Sequence, residues 1–236
     1  MHTRVRSIVA VGTTAAIAAG LACALCPVHM RVHRAVMIVA VLVAWMLCIV
    51  KLWRWRYAAY AVTAAGAGMV MLFCAPGRAF DKERLRARYA AALQRYGGTM
   101  YVWGGETRLG IDCSGLVREG LVDACLAQGA ATLNPRLIRF AATVWWNDCA
   151  ARELIAGYRG MTIPAGQAPS LNAVAASNSV PGLLAVTANG IHVLACIGSN
   201  QWIQADPGAG KVISVDLPSS NDWCTLPVRF VQWSVL

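Results

Sequence analysis

Charge is scarce in this chain. Of 236 residues only 14% are Asp, Glu, Lys or Arg, and acids supply just 11 of them. Soluble domains carry about a quarter charged residues, so the composition argues against a wholly soluble globule. A hydrophobic content of 58% excludes disorder, and 21 glycines without a fixed period exclude a collagen-like repeat. Histidine is scarcer still. His2, His29 and His33 lie in or beside the apolar first third, which leaves His192 as the one imidazole beyond it. With a single histidine there and no paired cysteines at ligand spacing, no metal is expected. Cys23-Ala-Leu-Cys26 has zinc or redox spacing but falls inside an apolar run, where small apolar filling suits it better. Gly208-Ala-Gly210 precedes no helix and so is no phosphate cradle. No cofactor is implied.

What the chain has instead is long runs without charge. None occurs over residues 7–30, 35–50 or 57–75. A hydrocarbon core about 30 Å thick takes roughly 20 helical residues, so the first and third runs span it, and the second does so if Leu52 and Trp53 are included with Lys51 snorkelling. About three transmembrane helices are therefore expected in a membrane region over residues 1–77, followed by a soluble domain over residues 78–236. The lipid bilayer is thus one partner. Lys51-Leu-Trp-Arg-Trp-Arg56 mixes cations with indoles, as a turn at a membrane interface does.

The net charge of +10 divides unevenly. Residues 1–100 hold 13 Lys and Arg against Asp81 and Glu83, a net +11, while residues 101–236 hold 8 against 9 acids, a net −1. The basicity belongs to membrane flanks and one short helix, and no basic stripe is left for nucleic acid. With an inside N-terminus, Arg4, Arg6, Lys51, Arg54 and Arg56 collect on the cytoplasmic side. Arg31, Arg34 and Arg78 collect outside once the helical run from Lys82 to Arg88 is set aside. If the first run is a cleaved signal peptide, the remaining two still return the chain outward. Either way the domain over residues 78–236 is expected outside.

Within that domain, apolar spacing predicts helices over residues 80–96, 112–128 and 134–157, a short extended piece over 100–103, and a loop over 162–179. Strands are expected over 182–187, 191–197, 201–205, 212–215 and 228–233. Helices first and an antiparallel sheet second make an α+β domain.

Chemistry concentrates in Tyr101-Val-Trp-Gly-Gly-Glu-Thr-Arg-Leu-Gly-Ile-Asp-Cys-Ser-Gly-Leu116. With Asp112 as helix cap, Cys113 falls on a first turn, where the positive dipole end favours a thiolate and backbone amides face a developing oxyanion. A cysteine nucleophile needs one imidazole, and His192 is the one present. A third polar group should hold that imidazole. If the hairpin turns through Gly198-Ser-Asn200 as a three-residue loop, positions 192, 194, 204 and 206 share a face, with Gln204 diagonal to His192 and Asp206 nearly opposite. Cys125, Cys149, Cys196 and Cys224 form an even set that an oxidising compartment could pair.

Tyr-x-Trp-Gly-Gly, Gly-x-Asp-Cys-Ser-Gly-Leu and a histidine about 80 positions on, with a polar residue twelve beyond it, resemble the NlpC family of bacterial cell-wall cysteine peptidases across residues 81–236. The resemblance implies a papain-like fold and hydrolysis of γ-D-glutamyl-diamino-acid bonds in a peptidoglycan stem peptide. It implies Cys113 as nucleophile, His192 as base and acid, and Gln204 as orienter, with Tyr101 near the oxyanion and Asp112 and Ser114 shaping the substrate site. Asp206 stands beside them as the other polar candidate. The resemblance leaves the membrane segments unexplained; the charge-free runs and their flanks lead us to expect residence in the bacterial inner membrane with the peptidase domain on the extracytoplasmic side. The chain departs in having Pro181-Gly182-Leu183 where the family usually has Pro-Gly-Asp, and in a tryptophan-rich insert at Val144-Trp-Trp146 beside which the cleft could differ. Two other functions suit the same residues. One is a papain-like acyltransferase or lipid amidase, although lipid-acting relatives place His before Cys; the other is an inactive cell-wall binding module.

Overall fold

The structure is a computed structural model that describes residues 2–175 and 179–236, with side chains from residue 10 onward. The charges of Arg4 and Arg6, the side chain of His2 and residues 176–178 of the expected loop lie outside the described residues. Three helices open the chain: α1 (His2–Ala24), α2 (Arg31–Leu52) and α3 (Arg56–Cys74). By length and composition α2 and α3 are long and apolar enough to cross a membrane, while Ala10–Ala24 of α1 forms a shorter apolar helix. Small residues let the helices close on one another. A methyl group at Gly20 would stand 3.2 Å from Ala40 Cβ, and one at Gly66 would press on the Trp45 indole.

The domain begins with α4 (Lys82–Gln94), whose cap Asp81 accepts the Arg84 N–H at 3.0 Å. Leu85, Tyr89 and Leu93, four residues apart, form its buried stripe. A two-stranded hairpin, β1 (Glu106–Thr107) and β2 (Gly110–Ile111), leads into α5 (Cys113–Ala131), which is buried along most of its length. Two further helices follow, α6 (Pro135–Trp146), opened by the Asn134 cap and Pro135, and α7 (Ala151–Ile155). The single helix expected over 134–157 is thus interrupted. Asn147 turns extended, its carbonyl accepts the Tyr158 hydroxyl, and Asp148 is held by Arg118.

Six antiparallel strands form the sheet: β3 (Thr162–Ala168), β4 (Leu183–Thr187), β5 (Val193–Cys196), β6 (Gln201–Asp206), β7 (Lys211–Asp216) and β8 (Val228–Trp233), in the order β3-β8-β4-β5-β6-β7. The domain is therefore α+β, helices before sheet. The expected loop over 162–179 is corrected in its first half. β3 pairs with β8 from Thr162↔Trp233 to Ala168↔Val228, with a register shift between Pro164 and Gly166. A proline and a bulge are what an edge strand tolerates, and both hide the alternation that marks a strand. Helices α4 to α7 cover one face through Leu116, Leu121, Val186, Val193, Ile203 and Trp233. The other face buries Leu194, Cys196, Trp202 and Phe230 under α8 (Asp222–Thr225) and the turn at Leu171.

The three N-terminal helices are docked on this domain. Pro27 and Val28, between α1 and α2, meet the active-site loop: the Glu106 N–H donates to Pro27 O at 2.8 Å and Val28 bridges Gly105. Arg139 of α6 donates to Phe73 O and Ala75 O at the end of α3, at 2.6 and 2.7 Å. Trp145 lines a recess with Met37, Ile38, Val41 and Leu42 of α2. The tryptophan-rich insert therefore packs on α2.

Candidate active site

Asp112 organises the loop that presents Cys113. Its Oδ1 accepts the Gly115 N–H at 2.6 Å and the Ser114 hydroxyl at 2.9 Å, and its Oδ2 accepts the Gly104 N–H at 2.8 Å. The Asp112 N–H returns a bond to Gly105 O at 3.0 Å. A methyl group at Gly115 would overlap the Gly105 carbonyl, and one at Gly105 would overlap the Gly110 carbonyl. These two separate close approaches explain the two glycines of the motif. Asp112 and Ser114 are thus committed to loop geometry.

Cys113 is the first residue of α5 and 7% exposed. Burial pushes its thiol up to about 12, with the neighbouring Asp112 carboxylate adding to the rise, while the backbone N–H groups of Val193, Ser114 and Cys113 oppose it. Desolvation outweighs the helix N-terminus at this position and favours the thiol over the thiolate. Its sulfur lies 3.9 Å from Ile191 O, beside the residue that precedes His192. No hydrogen bond joins the sulfur to the imidazole among the described residues. Tyr101 is half-buried. Burial pushes its phenol up to about 12, and nearby Cys113 and Asp112 add to this, which brings Tyr101 to the sulfur's side.

The pairs Ala195↔Ile203 and Cys196↔Trp202 set the three-residue hairpin register, so His192, Gln204 and Asp206 share a sheet face. His192 Nε2 and Gln204 Oε1 are 2.7 Å apart. An amide oxygen only accepts, so Nε2 carries the proton and the lone pair resides on Nδ1. Burial lowers the His192 pKa to about 4, against the opposing pull of the Gln204 bond and the Asp206 charge. Asp206 does not bond the imidazole. Its Oδ1 accepts the Gly208 and Ala209 N–H groups at 2.7 and 3.2 Å, and its Oδ2 accepts the Gln204 and Asn221 amides at 3.3 and 2.7 Å. Of the two candidates for direct contact, Gln204 makes it and Asp206 backs it.

Sequence reasoning missed three partners. Asn221 caps α8 and accepts from Gln204 Nε2 at 3.2 Å, and Trp223 stacks on the His192 ring at 4.2 Å between centroids and 20° between planes. Asn221-Asp-Trp223 carries a helix-cap signal, but nothing in its spacing ties it to His192. The third is a buried ionic cluster under the nucleophile loop. Glu106 accepts from Arg34 of α2 and, at 2.7 Å, from Arg118 of α5, which also bonds Asp148 at 2.8 Å. Burial alone would raise the Glu106 carboxyl; Arg118 and Arg34 outweigh it and hold the group below the usual range. A recess of about 550 Å³ lined by Asp206, Ser220, Asn221 and Trp223 opens beside the orienting network, and Cys113 is not in its lining. All nine cysteines are free. No cluster of metal-ligating side chains occurs among the described residues.

No protein-family model matches the chain, and no curated protein matches it. Solved structures are similar to it. The NlpC/p60 domain of the peptidoglycan hydrolase SagA is 22% identical over 62% of this chain and 97% of its own, with a TM-score of 0.37. The peptidoglycan hydrolase RipB from Mycobacterium tuberculosis is 19% identical over 64% of each chain, with a TM-score of 0.39. NlpC2 from Trichomonas vaginalis is 17% identical over 65% of this chain, with a TM-score of 0.39, and the match spans 48% of its length. Two of the three, the SagA domain and NlpC2, bear the family name that the motif around Cys113 resembles.

Proposed function

We propose that this protein is a membrane-anchored cysteine endopeptidase that hydrolyses peptidoglycan stem peptides at a γ-D-glutamyl-diamino-acid bond. The observation that carries the reading is Cys113 on the first turn of α5, its sulfur beside the backbone leading into a His192 whose Nε2 is held by Gln204. In the resting site both groups are neutral. Binding of the scissile amide draws the sulfur and Nδ1 together; the thiol proton passes to Nδ1 as sulfur attacks the carbonyl carbon, and N–H groups at the start of α5 receive the oxyanion. The imidazolium then protonates the leaving amine. His192 next takes a proton from water, hydroxide adds to the thioester, and the carboxylic acid leaves as the thiol is restored. Gln204 keeps the proton on Nε2 and the lone pair on Nδ1 throughout.

The anchor is part of the reading. The α1–α2 connection and the end of α3 both contact the domain, so both belong on its side of the bilayer. The turn carrying Lys51, Arg54 and Arg56 belongs on the other, where the positive-inside rule puts cations. Arg34, on the domain side, is neutralised by Glu106 and drops out of that count. The domain is thereby assigned to the extracytoplasmic face of a bacterial inner membrane.

The test is incubation of the full-length protein in detergent with defined muropeptides, read by mass spectrometry. Cleavage at the predicted bond that disappears in Cys113→Ala is the expected result. Intact muropeptides after incubation with the wild-type protein would overturn the reading, and a cytoplasmic signal from a C-terminal reporter fusion would remove the cell wall as substrate.

A further inference from the structure

The nucleophile loop is built against the end of the anchor that emerges from the bilayer. Val28 bridges Gly105, Gly105 O binds the Asp112 N–H, and Cys113 follows. Two strand-like spacings of about 5 Å and one Cα step of about 3.8 Å put Cys113 within about 14 Å of the α1–α2 connection. Arg34, the residue before the charge-free run over 35–50, is buried against Glu106 on the same loop. Trp145 reaches further down, beside Ile38, Val41 and Leu42, about 12 Å along α2 from Arg34. The headgroup layer itself is only roughly 5–8 Å thick on each side, so the nucleophile stands at the bilayer surface.

The side chains around the sulfur fit that position. Trp103 is 84% exposed and adjoins Gly104, which touches Val28; Leu109 is 54% exposed and adjoins Gly110, which packs on Pro27. Ile191, whose carbonyl faces the sulfur, is 65% exposed. Gathered on loops that contact the α1–α2 connection, these apolar side chains continue the apolar surface of the spanning helices.

We infer that this site takes a stem peptide borne by a lipid whose tail lies in the same bilayer, a polyprenyl-diphosphate-linked muropeptide, in preference to the polymerised wall. The inference rests on the peptidase reading above. Confinement to one surface replaces a search in three dimensions by one in two, and Trp103 and Leu109 supply the contact with the lipid-proximal part of the carrier.

The full-length protein is reconstituted in vesicles of phosphatidylethanolamine and phosphatidylglycerol with a synthetic lipid-linked muropeptide. Its kcat/KM is compared with that for the same muropeptide free in solution and with release from purified sacculi. The expected result is at least a tenfold preference for the lipid-linked form, with a rate that follows its mole fraction in the vesicle. The double variant Trp103→Ser, Leu109→Ser should reduce the preference to below threefold; both rates come from one preparation, so any loss of folded protein cancels. Equal rates, faster attack on sacculi, or a preference unmoved by the double variant would overturn the inference while leaving the peptidase reading intact. Failure to cleave any form would remove both.

Discussion

Replacing Glu106 by Gln tests the tie between anchor and catalytic loop. Glu106 is the carboxylate shared by Arg34 and Arg118, both of which are fully buried. Glu106→Gln keeps the shape but strands Arg34 without a carboxylate, while Arg118 retains Asp148. Breaking a buried pair from one side costs about 3–5 kcal/mol, because the remaining charge stays desolvated. For a domain of this size that is a fall of about 6–20 °C in Tm. Arg34→Met takes the charge away and leaves Glu106 paired with Arg118, so its cost should be the smaller, about 1–2 kcal/mol for the lost hydrogen bonds to Glu106 and Trp146 O. The double variant should be more stable than the sum of the singles predicts, by about 1–3 kcal/mol, since the charge stranded by the first change is removed by the second. Thermal unfolding of the full-length protein in detergent, followed by tryptophan fluorescence, measures all three. A Glu106→Gln variant as stable as Arg34→Met, or strictly additive effects, would refute the assignment of this carboxylate as the shared counter-ion.

Three further outcomes follow from the site. His192 is neutral when folded, with its pKa lowered to about 4, so between pH 6.5 and pH 4 the unfolded chain binds the extra proton and stability should fall by about 3 kcal/mol as pH drops. The slope should flatten in His192→Gln, and urea unfolding across that range reads it. Because burial holds the Cys113 thiol near 12, iodoacetamide labelling of the peptide containing Cys113 should accelerate about tenfold per pH unit from pH 6 to 9; a plateau through neutrality would mean a resting thiolate. Gln204→Ala should lower kcat by about 10–100-fold with little change in KM through loss of one buried bond to the imidazole, and Gln204→Glu should move the acidic limb of the pH–rate profile upward.

Much of the frame is legible in the sequence where the physics is local. The helix start at Asp112 is announced by the side chain that caps it, and the three-residue turn at Gly198-Ser-Asn200 sets the parity that puts His192, Gln204 and Asp206 on one face. What escapes is long-range. β3 carries Pro164, Gly166 and a mostly exposed pattern, and becomes a strand only by pairing with β8 over sixty residues later. The break after α6 contains neither proline nor glycine in 147–150 and is made by Tyr158 and Arg118 from elsewhere in the fold. Arg34 reads as a membrane-flanking cation until Glu106 is seen opposite it. The helix start at Cys113 is visible in the chain, whereas the burial that raises its thiol is not.

The two rims of the sheet are treated differently. Along β7, the Gly98 and Tyr101 N–H groups donate to Val212 O and Gly210 O, and the Val212 N–H to Thr99 O, so this rim is occupied by the strand that runs straight on into the nucleophile loop. The free rim is β3, where Pro164 withholds a donor and the bulge breaks the spacing another chain would need to zip on. For copies of this chain held side by side, that irregular border keeps neighbours from stitching into a continuous ribbon.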